Sequence, residues 1–333
     1  YQQEYGGGYG QYYDGPDGFW YMRDLNNDGV EEQWVVTSED ASYGAPFDPG
    51  LMVYQWDAVD PESPNYLTPT PWVAAENGPI TFFENPTTFI NTVALSNTLE
   101  HGAYRFSYTN YKQNGLLPNS ELKKNNLNFS STWEVNKRLT VSGSANFMQQ
   151  KGLGRNSTGY NDNQMGSFRQ WWQTNVDLKD LEDAYNSTRR NMTWNWADPT
   201  DAVPIFWDNP YWLRYENYES DKRNRILGHA SLNYEIADWV DIFGRVSVDS
   251  YNELQEERRA IGSIPTTFGI GNGSASDGSF SRSDQGSGYL RRDITSSEYN
   301  FDLMLNFKKD FSKDLSFRGV LGTNIRRTNY DRI

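Results

Sequence analysis

The sequence predicts an all-β fold, an antiparallel transmembrane β-barrel or a part of one, with long extracellular loops. Three observations predict it. Apolar and polar residues alternate with period two through eight segments. The connections between those segments alternate strictly between short and long. Aromatic residues gather at the strand ends beside the short turns, where a membrane interface would lie.

The clearest segment is "WEVNKRLTVSGSANF" at 133–147. Trp133 and Val135 lead into the polar turn Asn136–Arg138, after which Leu139, Val141, Gly143, Ala145 and Phe147 alternate with Thr140, Ser142, Ser144 and Asn146. That is a hairpin with one apolar and one polar face. Before it, Leu127, Phe129, Trp133 and Val135 oppose Asn126, Asn128, Thr132 and Glu134. Earlier still, Tyr104, Phe106 and Tyr108 oppose Arg105, Ser107 and Thr109, and Phe89, Val93 and Leu95 begin a partner strand. Downstream, Ile226 to Ile236 oppose Leu227, His229, Ser231, Asn233 and Glu235, and Val240, Ile242, Val246 and Val248 oppose Asp241, Arg245, Ser247 and Asp249. Tyr299, Phe301, Leu303, Leu305 and Phe307 form the seventh apolar stripe, and Leu315, Phe317, Leu321 and Ile325 form the eighth.

Short turns are expected near 97–102, 136–138, 237–238 and 309–313, and longer links over 112–122, 150–225 and 252–296. Trp133, Tyr234, Trp239, Phe307 and Phe311 would supply the aromatic girdle. Residues 1–88 lack alternation and are rich in Gly, Pro and acid, so they are expected to be an extracellular, loop-rich segment with one or two strands, "QWVVT" at 33–37 among them. Residues 89–333 would carry the barrel strands.

Bulk properties limit the function. The 333 residues carry a net charge of −14 and a pI near 4.7, which repels nucleic acid. There is no cysteine, so disulfides and thiolate chemistry are excluded. Mean hydropathy is −0.81 and no apolar run reaches the length of a membrane helix, but strands need only alternate apolar residues.

The segment "GAYRFSYTNYKQNGLLPNSELKKNNLNF" (102–129) resembles the barrel region of SusC/RagA-type TonB-dependent transporters of the Bacteroidota outer membrane. The resemblance rests on Gly102, Arg105, Ser107, Tyr108, Gly115, Pro118, Asn119 and Ser120. A second similar block runs over 209–251, and "YQQEYGGGYG" at the start also fits the family. The resemblance implies a multi-pass barrel of about 22 strands in the outer membrane, in contact with its lipid. It further implies nutrient import coupled to TonB–ExbB–ExbD, a SusD-like surface lipoprotein as partner, and oligosaccharides or oligopeptides as cargo. No plug domain and no closing terminal strand is legible, so the chain is expected to be an internal portion of such a protein. The rival expectation is a soluble extracellular all-β module for glycan binding or adhesion.

Two groups of residues carry candidate chemistry. In "DLNNDGVEE", Asp24, Asn26, Asp28 and Glu32 present alternating oxygens around the bend at Gly29, a spacing suited to a structural calcium ion. The loop departs from an EF-hand, because Val35 occupies the twelfth position. The second group is Trp171, Trp172, Trp194, Trp196, Trp207, Tyr211 and Trp212, with Asp198, Asp201 and Asp208 nearby. Such rings suit sugar stacking, contact with a lid protein or packing at the barrel mouth. No catalytic motif is present and the chain is not expected to be an enzyme. His101 and His229 are isolated in the sequence, "SFSRSDQGSG" (279–288) lacks a nucleophile elbow, and "GIGNGSASDG" (269–278) lacks the Lys of a phosphate cradle. The sequons at 156–158 and 186–188 are read as chance matches.

Overall fold

A computed structural model describes residues 1–156, 163–265 and 286–333. The glycine-rich stretch 269–278, most of 279–288 and most of the sequon at 156–158 lie outside them.

Residues 1–86 form four short strands and three single turns of 3-10 helix. The strands are β1 (Tyr21–Arg23), β2 (Glu32–Trp34), β3 (Asp48–Val53) and β4 (Thr70–Trp72), paired β1 with β2 and β3 with β4. Of the expected strand at 33–37, only Gln33 and Trp34 lie in β2; Val35, Val36 and Thr37 follow it fully buried, the last in a turn. Next come β5 (Thr87–Leu99), β6 (Gly102–Asn114), β7 (Glu121–Asn136) and β8 (Leu139–Leu153). An insertion then carries α1 (Gln164–Gln170), α2 (Leu178–Thr188), β9 (Trp196–Asp198), β10 (Asp201–Pro204) and α3 (Pro210–Tyr215). The chain ends in β11 (Tyr218–Ala237), β12 (Val240–Arg259), β13 (Gly288–Asp310) and β14 (Ser316–Arg332).

The eight long strands make one antiparallel sheet in the order β14-β13-β12-β11-β8-β7-β6-β5. All eight expected strands and all four hairpins are present. The sheet is open, with no closed barrel among the described residues. No helix among them is long and apolar enough to cross a membrane, which says nothing of strands.

Register fixes the two faces. Leu99, Gly102, Trp133, Val141, Leu232, Gly244 and Leu303 lie in one row across the sheet, and Leu95, Phe106, Phe129, Ala145, Gly228, Val248 and Tyr299 in another. These rows form an apolar band that no other described residues cover. Leu127 and Val141 are each 39% exposed, Val246 47% and Leu303 49%. More than twenty such side chains are at least a third exposed, on the order of 1,000 Å² or more of apolar surface. Soluble monomers rarely leave more than a few hundred Å² in one patch. The band drifts along the strands, reaching Phe89 on β5 but only Ile325 on β14.

Close approach explains one residue of the family-like segment. A Cβ on Gly102 would sit 2.6 Å from Trp133 Cε3, so the indole at the short-turn end lies directly over the glycine. Trp239 stacks on Phe307 at the next such end, with centroids 6.3 Å apart.

The strands run further than alternation foretells, and the long links shrink to match. β11 begins at Tyr218 rather than 226, and β12 continues to Arg259. In these extensions both faces are polar, as in "ESDKRNR" and "NELQEERR", so backbone pairing persists without a period-two signal.

Candidate functional site

The polar face of the sheet is the first component. Ser96, Arg105, Ser130, Ser144, His229, Ser247, Asn300 and Arg326 form one continuous row from edge to edge. A depression of about 520 Å³ opens at its centre, lined by Arg105, Ser107, Asn128, Ser144, Asn146, His229 and Ser247 among others. His229 Nδ1 lies 2.9 Å from Ser144 Oγ, and the Asn146 amide donates to Asn128 Oδ1. Ion pairs cross the strands on this face: Arg245 meets Asp302 at 2.7 Å, Arg326 meets Glu298 at 2.5 Å, and Arg225 pairs with Asp249. Ile90, Leu227 and Phe243 are apolar exceptions on it. Hydroxyls, amides and paired charges make a wettable wall able to hydrogen-bond a polar solute along its whole width.

The second component is a cap at the long-loop end, built jointly by residues 1–86 and the insertion. Their aromatic residues share one core. Tyr211, Phe82, Phe168, Trp172 and Trp194 follow each other edge to face, with centroids 5.1–5.2 Å apart. Three of the buried indoles find acceptors: Trp196 Nε1 donates to Trp56 O, Trp207 Nε1 to Asp40 Oδ2 and Trp212 Nε1 to Ser263 Oγ, each at 2.9 Å, whereas Trp172 Nε1 has none among the described residues.

This arrangement is packing, one of the three roles the sequence left open for these rings. Trp172, Trp194, Trp196, Trp207, Tyr211 and Trp212 are all at most 7% exposed, and only Trp171 is partly open. The rings are brought together, but against one another, because two segments distant in sequence fold over them. Asp198 is likewise structural: it takes a bidentate hold from Arg23, whose guanidinium also reaches Asp14 at 2.7 Å. This Arg23 clamp keeps the Asp14 and Asp198 carboxyls below the usual range despite their partial burial.

The cap is tied to the sheet by a buried arginine that sequence reasoning missed. Arg214 on α3 donates to Pro118 O at 2.9 Å and to Gly154 O, while Asn119 Nδ2 donates to Arg214 O at 2.8 Å. Pro118 and Asn119 belong to the "PNS" turn between β6 and β7, where Ser120 Oγ donates to Leu117 O at 2.6 Å. The turn residues of the family-like segment therefore serve as the docking point of the cap.

The acidic loop does gather its four side chains. Asn26 Nδ2 donates to Asp28 Oδ2 at 3.1 Å and to Glu32 Oε1 at 2.9 Å. Asp24 accepts from the backbone of Asp28 and Gly29, the latter with φ +88°. Glu32 Oε2 is buried without a hydrogen-bond partner. Among the described residues no cluster of three or more His, Cys, Asp or Glu is arranged as a metal site. Asn26 Oδ1 accepts from the Asp28 N–H at 3.0 Å, so the amide turns a donor toward Asp28 and Glu32, while the oxygen-rich residue types are those a hard cation uses.

A further feature has no sequence motif at all. A cavity of about 430 Å³ in the cap is lined by Trp56, Asp57, Glu62, Asn65, Asp180, Asp183 and Met192, among others. Burial raises the Asp57 carboxyl, although Asn65 donates to it at 2.6 Å. Burial, with Asp177, Asp57 and Asp183 as like-charged neighbours, pushes Asp180 up to about 6. An apolar floor ringed by carboxylates suits a cationic or amphipathic ligand.

No family model and no curated protein matches the sequence. Solved structures do. The chain is similar to chains in a structure of the RagAB peptide transporter, with TM-score 0.54 and 12% identity over 78% of this chain and 26% of that one. It is similar too to the RagAB peptide importer in its closed-closed state (TM-score 0.50, 11% identity, 76% and 27% covered) and its open-open state (0.50, 13%, 78% and 27%). The chain thus spans about a quarter of the length of the transporter chains it matches. The likeness is one of fold: an antiparallel β-sheet.

Proposed function

We propose that this chain forms a sector of the wall and mouth of an outer-membrane importer of the SusC kind, working with a SusD-like surface lipoprotein and driven through TonB–ExbB–ExbD. The observation that carries the reading is the sheet's two-solvent character. Its uncovered apolar band suits lipid and its continuous polar face suits a water-filled lumen. The chain would act by passage and recognition, without catalysis. Oligopeptide cargo is favoured over glycan, because the tryptophans expected to stack on sugars are occupied by each other while carboxylates ring the open cavity of the cap. The structural neighbours bear names of peptide transport, which agrees with this preference.

Uptake measured in a deletion strain complemented with the wild-type protein tests it. Growth on basic oligopeptides should be restored, and growth restored on no peptide or glycan would refute import.

The Asp24–Glu32 loop is proposed as a structural calcium site. Calorimetry on the calcium-stripped protein should show heat on adding calcium and a higher melting temperature, both lost in Glu32→Gln. Absence of heat in the wild type removes the ion.

A further inference from the structure

On the apolar face, four lysines stand side by side above the band. Lys112 is opposite Lys123, Lys123 opposite Lys151 and Lys151 opposite Lys222. Below them lies a row of amides, Asn110, Asn125, Gln149 and Asn224, joined laterally by Asn110–Asn125 (2.9 Å) and Gln149–Asn224 (3.2 Å) contacts. Below the amides come Tyr108, Leu127, Phe147 and Ile226, the rim of the apolar band. Over four adjacent strands the order is therefore apolar, amide, lysine. The row uses four of the ten lysines in an acidic chain.

Such a row opposes ordinary sheet chemistry. Like charges directly opposite on neighbouring strands destabilise the pair, and here three such pairs are consecutive. Only Glu121 offsets them, reaching Lys112 at 3.8 Å and Lys123 at 2.5 Å. Lys151 and Lys222 are exposed and have no carboxylate in ion-pair reach among the described residues. On the opposite face of the same region, by contrast, Arg223 pairs with Glu253. The row is about 14 Å wide, at roughly 4.8 Å per strand. It stands at headgroup depth, since a lysine stem can lie back along the strands toward the rim while its ammonium stays in the polar zone.

We propose that this row binds the phosphate groups of an anionic lipid in the leaflet at the long-loop end of the protein. The inference rests on the sheet spanning a membrane. It adds a lipid site on the face away from the transport path. A polyanion such as nucleic acid does not fit as occupant, because the whole chain is strongly negative.

The test uses the detergent-purified protein reconstituted in phosphatidylcholine nanodiscs, with or without bis-phosphorylated lipid A, read by native mass spectrometry. Wild type should retain the phosphorylated lipid, and the quadruple variant K112Q/K123Q/K151Q/K222Q should retain it on the order of 600-fold more weakly, from roughly fivefold per lysine. The quadruple Lys→Arg variant should bind like wild type, and Lys179→Gln, on the cap, should change nothing. Equal retention by wild type and the quadruple Gln variant, both membrane-inserted, overturns the proposal and leaves the import reading standing. Equal binding of dephosphorylated lipid A, or full competition by equimolar inorganic phosphate, overturns the lipid phosphate as occupant. A wild-type protein that leaves the membrane fraction under high-salt washing overturns both readings together.

Discussion

Asp180 sits in a like-charged neighbourhood that solvent only partly screens. Its carboxyl is pushed up to about 6 by burial and by Asp177, Asp57 and Asp183. A raised carboxyl means that the folded cap holds more protons than the unfolded chain between about pH 4 and 6, so stability falls as pH rises through that window. Asp57 is raised by burial and acts in the same direction. Asp14 and Asp198 are lowered by Arg23; their contribution is present above about pH 4 and is lost only as the solution becomes more acid. Cap stability should therefore peak near pH 4–5 and decline toward 7. Asp180→Asn should flatten that decline and gain about 1 kcal/mol at pH 7, after discounting for partial exposure. Tryptophan fluorescence melting reads this out directly, since ten of the twelve tryptophans belong to the cap. Identical pH profiles for wild type and variant would show that Asp180 is not the titrating group.

At the scale of a strand, sidedness decides what a substitution costs. Val141 and Ser142 are adjacent on β8, one on the apolar band and one on the polar face. In a bilayer, Val141→Arg should cost about 2–4 kcal/mol, whereas Ser142→Arg should be close to neutral. Urea unfolding in lipid vesicles would measure the pair, and equal costs would mean that both faces meet the same medium. The same sidedness explains what the sequence made legible. Period-two alternation marks Leu139–Phe147 and Tyr299–Phe307 because each face keeps one polarity over most of those residues. It fades in Tyr218–Arg225 and Asn252–Arg259, where both faces carry polar residues, so strand ends there had to come from pairing. The cap was the least legible part. Trp34 and Phe82 share a core with Trp172 and Trp212 through contacts across more than eighty residues, and no local pattern announces such a meeting. Tryptophan-rich loops look alike in sequence whether the rings face a ligand or one another. The lysine row was equally hidden: "NYK", "KKN", "QQK" and "KRN" each place a Lys two residues from an amide, but only register aligns them.

For the molecule as a whole, the sheet and the cap have different tasks and one joint. The sheet supplies a wall with two surfaces. The cap supplies a folded roof at the long-loop end, with an acidic cavity facing outward from an aromatic core. Arg214 fastens the roof to the Pro118–Asn119 turn using backbone carbonyls, so the joint depends little on ionic strength. The drift of the apolar band sets the posture of this assembly. Ile325 lies in the register row of Asn97, yet the band on β5 extends eight residues higher, to Phe89 (97 − 89 = 8). At the other border Thr323 shares the row of Leu99, and the band on β14 continues six residues lower, to Phe317 (323 − 317 = 6). In a bilayer, a slope of about seven residues over seven strand spacings, at roughly 3.4 Å and 4.8 Å respectively, would lean the strands by about 35° from the normal. That inclination falls at the lower end of the range for transmembrane barrels. Infrared linear dichroism of oriented multilayers should find the amide I transition tilted accordingly, and upright strands would contradict the geometry. Such a lean would be written into side-chain hydrophobicity rather than into any turn, so moving one apolar stripe by two residues would change the inclination the wall takes in a bilayer.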